Sequence, residues 1–256
     1  MSLPAWENGF GQTDTNDVRW LARVTMDAPR MPWDKFHERV FTWKRGEHIA
    51  LLGPTGQGKT FLLRALLPFH PYVVVFATKP RDNTMGELAL RSGYTKLDQW
   101  GSYPVKDMPR RVLWPDATSI DATKDQREIF HDAFGRIYRE GGWTVAIDEL
   151  WYFSNVLKLE MDVRMFLLQG RSLDISFLSA TQRPAFVPLE VYDQSTHLFF
   201  WRDNDDRNLN RLKEINSRSG RILKTVVMNL EQHQVLYINT PGSRSEERRV
   251  GKECRS

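Results

Sequence analysis

One stretch decides the fold, and it reads Gly53-Pro54-Thr55-Gly56-Gln57-Gly58-Lys59-Thr60. It fits the phosphate-binding loop pattern G-x-x-x-x-G-K-[ST] at every constrained position. The apolar residues 48–52 before it are typical of a buried strand. The apolar residues 61–67 after it recur at helical spacing until Pro68, which cannot continue a helix. Strand, glycine-rich turn and helix are the context in which this pattern forms a site.

The loop predicts a binding site for the phosphates of ATP. Successive backbone N–H groups would form a concave anion nest, and the helix N-terminus adds partial positive charge. The Lys59 ammonium would reach the β- and γ-phosphates, and the Thr60 hydroxyl would ligate Mg²⁺. We therefore expect all eight loop residues to bind the nucleotide, with ATP and Mg²⁺ as cofactors.

Short apolar runs alternate along the chain with segments of helical periodicity. Strands are expected at 40–43, 72–77, 111–114, 143–147, 175–180 and 198–201. One helix should run from an N-cap at Thr123 to Gly141-Gly142, and another should span about 160–169. This alternation predicts an α/β fold with a mostly parallel sheet flanked by helices. Residues 222–230 and 235–239 predict a closing C-terminal β-hairpin.

Polar groups follow several predicted strands, and functional groups gather at the carboxyl ends of parallel strands. Asp148 and Glu149 end the strand at 143–147. Asp148 would hold Mg²⁺ through water, and Glu149 would polarise the water that attacks the γ-phosphate. Gln182 follows a strand that we expect beside the Asp148 strand, and its amide could bond that water and the γ-phosphate. Lys79 follows the second strand, where an active-site role and a solvated turn both stay open.

Hydrolysis also needs positive charge on the transition state, and Lys59 alone usually leaves a slow enzyme. Arg171 precedes the Gln182 strand, so it should lie at the opposite edge of the sheet from the phosphates. From there it would reach a neighbouring subunit's nucleotide more easily than its own. Arg171 is therefore the first candidate for an arginine finger that acts in trans. The other candidates are Arg183, Arg202 and Arg207.

The composition indicates a packed globular protein, with 14 Phe, 9 Trp and 7 Tyr among 256 residues. No apolar run approaches the roughly 18 residues that a membrane span needs, and the N-terminus lacks the apolar region of a signal peptide. These features predict a protein without a membrane span that is located in the cytoplasm, or in association with a virion if it is viral.

The C-terminal residues 244–256 look like one reading frame of a short-read sequencing adapter, and we exclude them from reasoning about fold and function. The single cysteine, Cys254, lies there, which excludes disulfides and thiol catalysis. Without this tail, 31 Lys and Arg stand against 29 Asp and Glu, a net charge of +2 instead of +4. We expect an N-terminal arm at 1–32, a P-loop ATPase domain at 33–243 and an artefactual tail at 244–256.

Several motifs, in this order, resemble the FtsK/HerA family of DNA-pumping ATPases. They are GPTGQGKT at 53–60, VAIDEL at 145–150, the run GRSLDISFLSATQRP at 170–184 and FFWR at 199–202. ATQRP at 180–184 is the most specific of them. Thr78-Lys79-Pro80 loosely resembles the family's Lys-bearing turn, although Ala77 replaces the usual acidic residue.

The resemblance covers about residues 40–240 and implies a RecA-like P-loop NTPase core, assembled as a hexameric ring around double-stranded DNA. It implies an ATP-hydrolysing translocation motor, of the compact kind that packages or transfers viral or plasmid DNA. The candidate groups for gripping the DNA backbone are basic residues beyond the catalytic strands: Arg207, Arg211, Lys213, Arg218, Arg221 and Lys224.

Three other classes were weighed against this interpretation. An ABC-type domain needs a Leu-Ser-Gly-Gly-Gln-like signature before the acidic strand, and residues 115–142 contain none. A viral terminase motor would bring a nuclease domain, for which too few residues remain. A nucleotide-gated assembly or secretion factor that does not move DNA stays open, because Glu149 alone does not prove turnover.

Overall fold

The computed structural model describes residues 30–101, 104, 107–119, 121–212 and 220–240, with the backbone only at 89–91. The predicted tail with Cys254, most of the predicted arm, and the candidate DNA contacts Lys213 and Arg218 lie outside these residues. None of the helices in the described ranges has both the length and the hydrophobicity of a membrane-spanning segment.

An eight-stranded sheet runs through the described residues, in the order β3-β4-β2-β5-β6-β1-β7-β8. The strands are β1 (His48–Leu52), β2 (Val73–Phe76), β3 (Thr95–Leu97), β4 (Arg110–Leu113), β5 (Thr144–Ile147), β6 (Ser176–Thr181), β7 (Ser195–Trp201) and β8 (Val235–Asn239). All neighbours are parallel except β8, which pairs antiparallel with β7. The α/β fold with a mostly parallel sheet is therefore confirmed.

Helices cover both faces of this sheet. They are α1 (Trp33–Arg39), α2 (Lys59–Leu66), α3 (Asn83–Arg91), α4 (Ala122–Glu140), α5 (Glu160–Gln169), α6 (Glu190–Asp193), α7 (Asp206–Asn210) and α8 (Gly220–Met228). Helices α2 and α3 share a core with Ile49 and Leu51 of β1, whereas α4 and α5 share the other core with Ala50 and Leu52. Because both faces are covered, the central strands β1, β2, β5 and β6 are buried at every position, without alternation.

The predicted C-terminal hairpin is wrong, because residues 220–228 form helix α8 and not a strand. The β-branched run at 225–227 favoured a strand, but Leu223 and Val227 lie one helical turn apart and pack on the same core. Strand β8 pairs instead with β7, from Trp201 opposite Val235 to His197 opposite Asn239. Tertiary packing here overrides local strand propensity.

Three smaller predictions also fail. Residues 40–43 form no strand, although Phe41 and Trp43 are buried. The N-cap of α4 is Asp121, not Thr123, and the Ser119 hydroxyl accepts from the first N–H of the helix, that of Ala122, at 3.2 Å. The edge strand β3 was not predicted, because three residues with one buried side chain carry little apolar signal.

The turn into β5 depends on a glycine pair that ends α4. Gly141 has φ 67° and ψ 175°, a conformation that is essentially restricted to glycine. A Cβ there would lie 2.9 Å from the carbonyl oxygen of Leu173. Gly142 also has a positive φ of 71°, but a Cβ on it would meet nothing within 4 Å. The two glycines therefore share a backbone requirement and differ in the space around them.

This difference predicts unequal costs of substitution. Gly141→Ala should lower the free energy of unfolding by about 2–3 kcal/mol, because it adds a steric clash to backbone strain. Gly142→Ala is the matched control and should cost about 1 kcal/mol from strain alone. Urea unfolding of both variants measures the difference, and equal losses would contradict the account of the turn.

Candidate functional site

The phosphate loop lies at the carboxyl end of β1, near the middle of the sheet. Its first glycine, Gly53, has φ 154°, and a Cβ there would lie 2.8 Å from Cβ of Trp201 at the end of β7. The Gly53 N–H donates to the carbonyl oxygen of Thr181 on the other side, at 3.3 Å. The loop is thus wedged between the ends of two strands, which only glycine permits.

Lys59 begins α2 with its side chain turned into the loop. Its ammonium donates to the carbonyl oxygen of Pro54 at 2.5 Å, and the residue is only 6% exposed. Burial lowers the pKa of Lys59, and the nearby carboxylates of Glu149, Asp148 and Asp203 oppose that shift. The ammonium therefore lies inside the cradle where a phosphate would be held.

Thr60 and Asp148 together form an oxygen pair that suits a magnesium ion. The Thr60 hydroxyl donates to Oδ1 of Asp148 at 2.9 Å, which joins the start of α2 to the end of β5. Mg²⁺ prefers one or two protein oxygens, with phosphates and water completing an octahedron. In keeping with that mode, the described residues contain no cluster of three His, Cys, Asp or Glu side chains that could hold a metal alone. The residues present fit a metal that arrives with a nucleotide.

Glu149 lies next to this pair and bonds to the neighbouring strand. The Thr181 hydroxyl donates to its Oε1 at 3.2 Å. Burial raises the pKa of Glu149, and the hydrogen bond from Thr181 opposes that shift. The backbone N–H of Gln182 also bonds to this carboxylate. A desolvated carboxylate held in place by hydrogen bonds is suited to accept a proton from water.

Gln182 lies at the end of β6, and β6 pairs with β5 as predicted. Its Oε1 accepts a hydrogen bond from the Thr55 hydroxyl at 2.6 Å, so it touches the phosphate loop directly. The structure thus brings together the loop, Asp148, Glu149 and Gln182. Lys79 joins them, because its ammonium lies 3.7 Å from Oδ2 of Asp148.

Two of the four candidate arginines, Arg183 and Arg207, line one pocket together with Gln182, whereas Arg171 lies at the other edge of the sheet. Arg171 lies at the amino edge of the sheet, as predicted, and donates to the hydroxyl of Thr196 at the start of β7, at 3.3 Å. Arg183 lies at the carboxyl edge with its guanidinium 4.3 Å from the Trp151 ring centroid. Arg202 follows β7 and is exposed, and Arg207 is paired with Asp205 at 3.3 Å.

The remaining candidate DNA contacts among the described residues are held by internal partners. Arg211 donates to the carbonyl oxygen of Ala185 at 2.9 Å, and Lys224 pairs with Asp206 at 2.6 Å. Arg221 begins helix α8 and is exposed. Among the members of the group that the structure describes, Arg207 and Arg221 are the exposed ones.

Two residues of this site were missed from the sequence. Asp203 follows β7 and is 7% exposed, and its oxygens accept from the Asp205 N–H and from Nδ2 of Asn208, both at 2.8 Å. Its position just beyond a buried strand, like that of Asp148, was an available signal. His233 has no such signal. Its Nδ1 comes within 3.3 Å of the Gln57 carbonyl oxygen only because the turn before β8 folds over the loop.

No protein-family model and no curated protein matches the sequence. Solved structures do match. The genome packaging NTPase B204 of Sulfolobus turreted icosahedral virus 2 matches in complex with sulfate (TM-score 0.57, 13% identity, 78% of this chain and 94% of that chain). Its complex with AMPPCP matches with a TM-score of 0.54 and 15% identity, over 76% and 93% of the two chains.

The DNA-packaging ATPase B204 of Sulfolobus turreted icosahedral virus is also similar, with a TM-score of 0.51 and 16% identity over 77% of this chain and 94% of that chain. At these identities the likeness establishes the fold. That fold is the one of a P-loop NTPase, a mostly parallel sheet flanked by helices, as the sequence predicted.

The environment of Glu149 predicts where its carboxyl group titrates. Its pKa should lie above the ordinary value of 4.5, because burial disfavours the charged form. Thr181→Val should raise the pKa further, since it removes a donor to the carboxylate. Ser179→Ala is the matched control, because it removes a hydroxyl from the same strand that bonds to Ile49 instead. The pKa of Glu149 in all three proteins is measured from its carboxyl ¹³C chemical shift as a function of pH. A lower pKa in the Thr181→Val protein than in the parent would contradict the assignment.

Proposed function

We propose that this protein is a Mg²⁺-dependent ATPase that drives translocation of double-stranded DNA, as in packaging or transfer of a viral or mobile-element genome. The observation that carries the proposal is the hydrogen bond between Thr60 and Asp148, with Glu149 beside it. It supports placing the phosphate loop, a metal ligand and a general base around one nucleotide. The shared fold with proteins described as genome-packaging NTPases supports the choice of DNA as the load.

The chain's own residues divide the proposed hydrolysis between them. The loop N–H groups and Lys59 bind the β- and γ-phosphates, while Thr60 and Asp148 hold Mg²⁺, which would neutralise phosphate charge when bound. Glu149 accepts a proton from water as the water oxygen bonds to the γ-phosphorus. The bond from that phosphorus to the bridging oxygen breaks, its electron pair stays on ADP, and phosphate leaves. Gln182 orients the water.

Arg171 is proposed to complete the site of a neighbouring subunit in a hexameric ring. It precedes β6, whose six residues span about 20 Å from the amino to the carboxyl edge of the sheet. That distance exceeds the reach of one side chain, so Arg171 cannot serve its own nucleotide. The proposal therefore requires assembly, and an ATPase rate per subunit that does not depend on protein concentration in a monomeric sample would contradict it.

The proposed unit of function is residues 33–243, with 1–32 as an arm and 244–256 as a tail foreign to the protein. Such a motor would act in the cytoplasm of a host cell or on a virion. A protein trimmed at Ser243 suits the tests below, because the basic tail could bind DNA on its own. Retention of full ATPase activity by residues 33–243 would support these boundaries, and its loss would contradict them.

The nucleotide chemistry predicts different defects for two variants. Lys59→Ala should lose ATP binding, because it removes the buried cation of the phosphate cradle. Glu149→Gln should still bind ATP but should turn it over at least about 100-fold more slowly, because an amide cannot accept the proton. Binding by calorimetry and steady-state phosphate release measure the two effects.

The matched control is Glu128→Gln, an equal change at an exposed position of α4. It should leave both binding and turnover as in the parent protein. A Glu149→Gln protein that hydrolyses ATP at the parent rate would show that the general base lies elsewhere.

The second candidate function is a nucleotide-gated assembly factor that does not move DNA. A translocating ring grips phosphates without reading bases, so duplex binding should be salt-dependent and indifferent to sequence. Absence of duplex binding and of DNA-stimulated ATPase at low salt would favour the assembly factor.

The exposed cations at α7 and α8 predict a specific change in duplex binding. Replacing Arg207 and Arg221 together with Gln should weaken binding and make the slope of log affinity against log salt shallower by about 2, since two phosphate contacts are lost. Lys124→Gln with Arg127→Gln is the control, since it removes the same charge from exposed positions of α4. If log affinity depended equally on log salt in the two double variants, Arg207 and Arg221 would not belong to the DNA-binding surface. Fluorescence anisotropy over a salt series gives both slopes.

A further inference from the structure

The turn after β2 carries a lysine at the candidate metal ligand. Lys79 Nζ lies 3.7 Å from Oδ2 of Asp148, and the other oxygen of that carboxylate accepts from Thr60 at 2.9 Å. Both oxygens of Asp148 are therefore engaged. Because the Asp148 side chain is only 15% exposed, the charge of Lys79 is less screened there than at a surface pair.

Specific hydrogen bonds hold this turn in place. The Trp114 indole N–H donates to the carbonyl oxygen of Lys79 at 2.8 Å. The side-chain amide of Gln126, a fully buried residue of α4, donates to the carbonyl oxygen of Thr78 at 3.1 Å. Two elements thus fix the backbone on either side of the Cα atom of Lys79. Its approach to Asp148 is set by the fold.

A second carboxylate contacts the same ammonium at the same time. Asp82 Oδ2 also lies 3.7 Å from Lys79 Nζ, while Oδ1 of Asp82 caps helix α3 through the N–H groups of Thr84 and Met85. The cap fixes Asp82 independently of the lysine. Half of the Lys79 side chain is exposed, so the ammonium can leave Asp148 without leaving Asp82. Asp82 can therefore retain the ammonium when another cation takes its place at Asp148.

We propose that Lys79 is a positioning residue that occupies Asp148 as an internal counterion and makes divalent metal bind weakly until a nucleotide accompanies it. A bare divalent cation must displace the ammonium and then remain close to it, and like charges repel. A metal–nucleotide complex brings phosphate oxygens that attract the same ammonium. The inference rests on the proposed nucleotide site and explains how the chain would prefer the loaded complex over free metal.

The test measures metal binding without nucleotide. Mn²⁺ alone is titrated into the protein, and the free ion is followed by electron paramagnetic resonance. Lys79→Ala should bind Mn²⁺ about five-fold or more tightly than the parent, because the competing charge is gone. Lys79→Arg should bind as the parent does. Arg81→Ala is the matched control: it removes one positive charge from an exposed position of the same turn and should also leave Mn²⁺ affinity unchanged.

A second pair of proteins, both carrying Asp148→Asn, tests whether the effect of Lys79 on Mn²⁺ affinity acts through Asp148. In proteins that carry Asp148→Asn, adding Lys79→Ala should give no gain in Mn²⁺ affinity, because the carboxylate that the two cations share is absent. Equal Mn²⁺ affinities of the parent and Lys79→Ala would overturn the proposal. The same holds if neither protein shows saturable Mn²⁺ binding. A gain that persists with Asp148→Asn, or that Arg81→Ala reproduces, would also overturn it.

Failure here and failure of the proposed function are distinguishable. The titration contains no nucleotide, so its outcome does not depend on hydrolysis. If Glu149→Gln hydrolysed ATP normally, the assigned chemistry would be wrong while the Mn²⁺ result stood. If Lys79→Ala left Mn²⁺ affinity unchanged while Lys59→Ala abolished ATP binding, the result would support the nucleotide site and contradict only the role of Lys79 as a counterion.

Discussion

Parallel pairing of β5, β6 and β1 is the constraint on which the candidate site depends. Each strand ends at the same edge, so Asp148, Thr181 and the phosphate loop meet without any long-range loop to position them. The sheet supplies positions, and short hydrogen bonds connect them, from Thr60 to Asp148 and from Thr55 to Gln182. A site built on strand ends is held more rigidly than one built on loops alone.

Charge burial at this edge is balanced by neighbouring groups. Lys59 and Glu149 are each desolvated, which lowers the pKa of the lysine and raises that of the glutamate. Each group opposes the shift of the other, because opposite charges favour the ionised forms. Asp203 adds a further negative charge beside the lysine. Three carboxylates therefore act on the buried ammonium of Lys59.

Sequence patterns predicted the centre of the fold well and its C-terminal part poorly. The loop motif and the acidic strand end are local signals with one structural solution, and both lie where the pattern required. Residues 222–230 carry β-branched side chains at positions that also suit a helix, and only packing of Val227 against the core selects the helix. His233 reaches the loop through that same tertiary arrangement, so no local pattern could identify it. The sequence could not decide whether Lys79 belongs to the site or to a solvated turn. Its contact with Asp148 depends on hydrogen bonds from Trp114 and Gln126 to the backbone of the turn, which no local pattern shows.

The register of β6 against β1 decides which side chains enter the site. Thr181 reaches Glu149 and the next residue, Gln182, reaches Thr55. A slip by one residue would put a neighbouring residue in place of each. Apolar side chains on both faces penalise such a slip only weakly. Buried polar contacts penalise it strongly: the Gly46 N–H donates to the Ser176 hydroxyl, and the Phe177 N–H donates to Nδ1 of His48. Burial lowers the pKa of His48 to about 4, so the ring stays neutral and can accept that bond at physiological pH. A slipped strand would leave these groups unpaired in the core, at roughly 1–3 kcal/mol each, and that cost holds the carboxyl edge of the sheet in register.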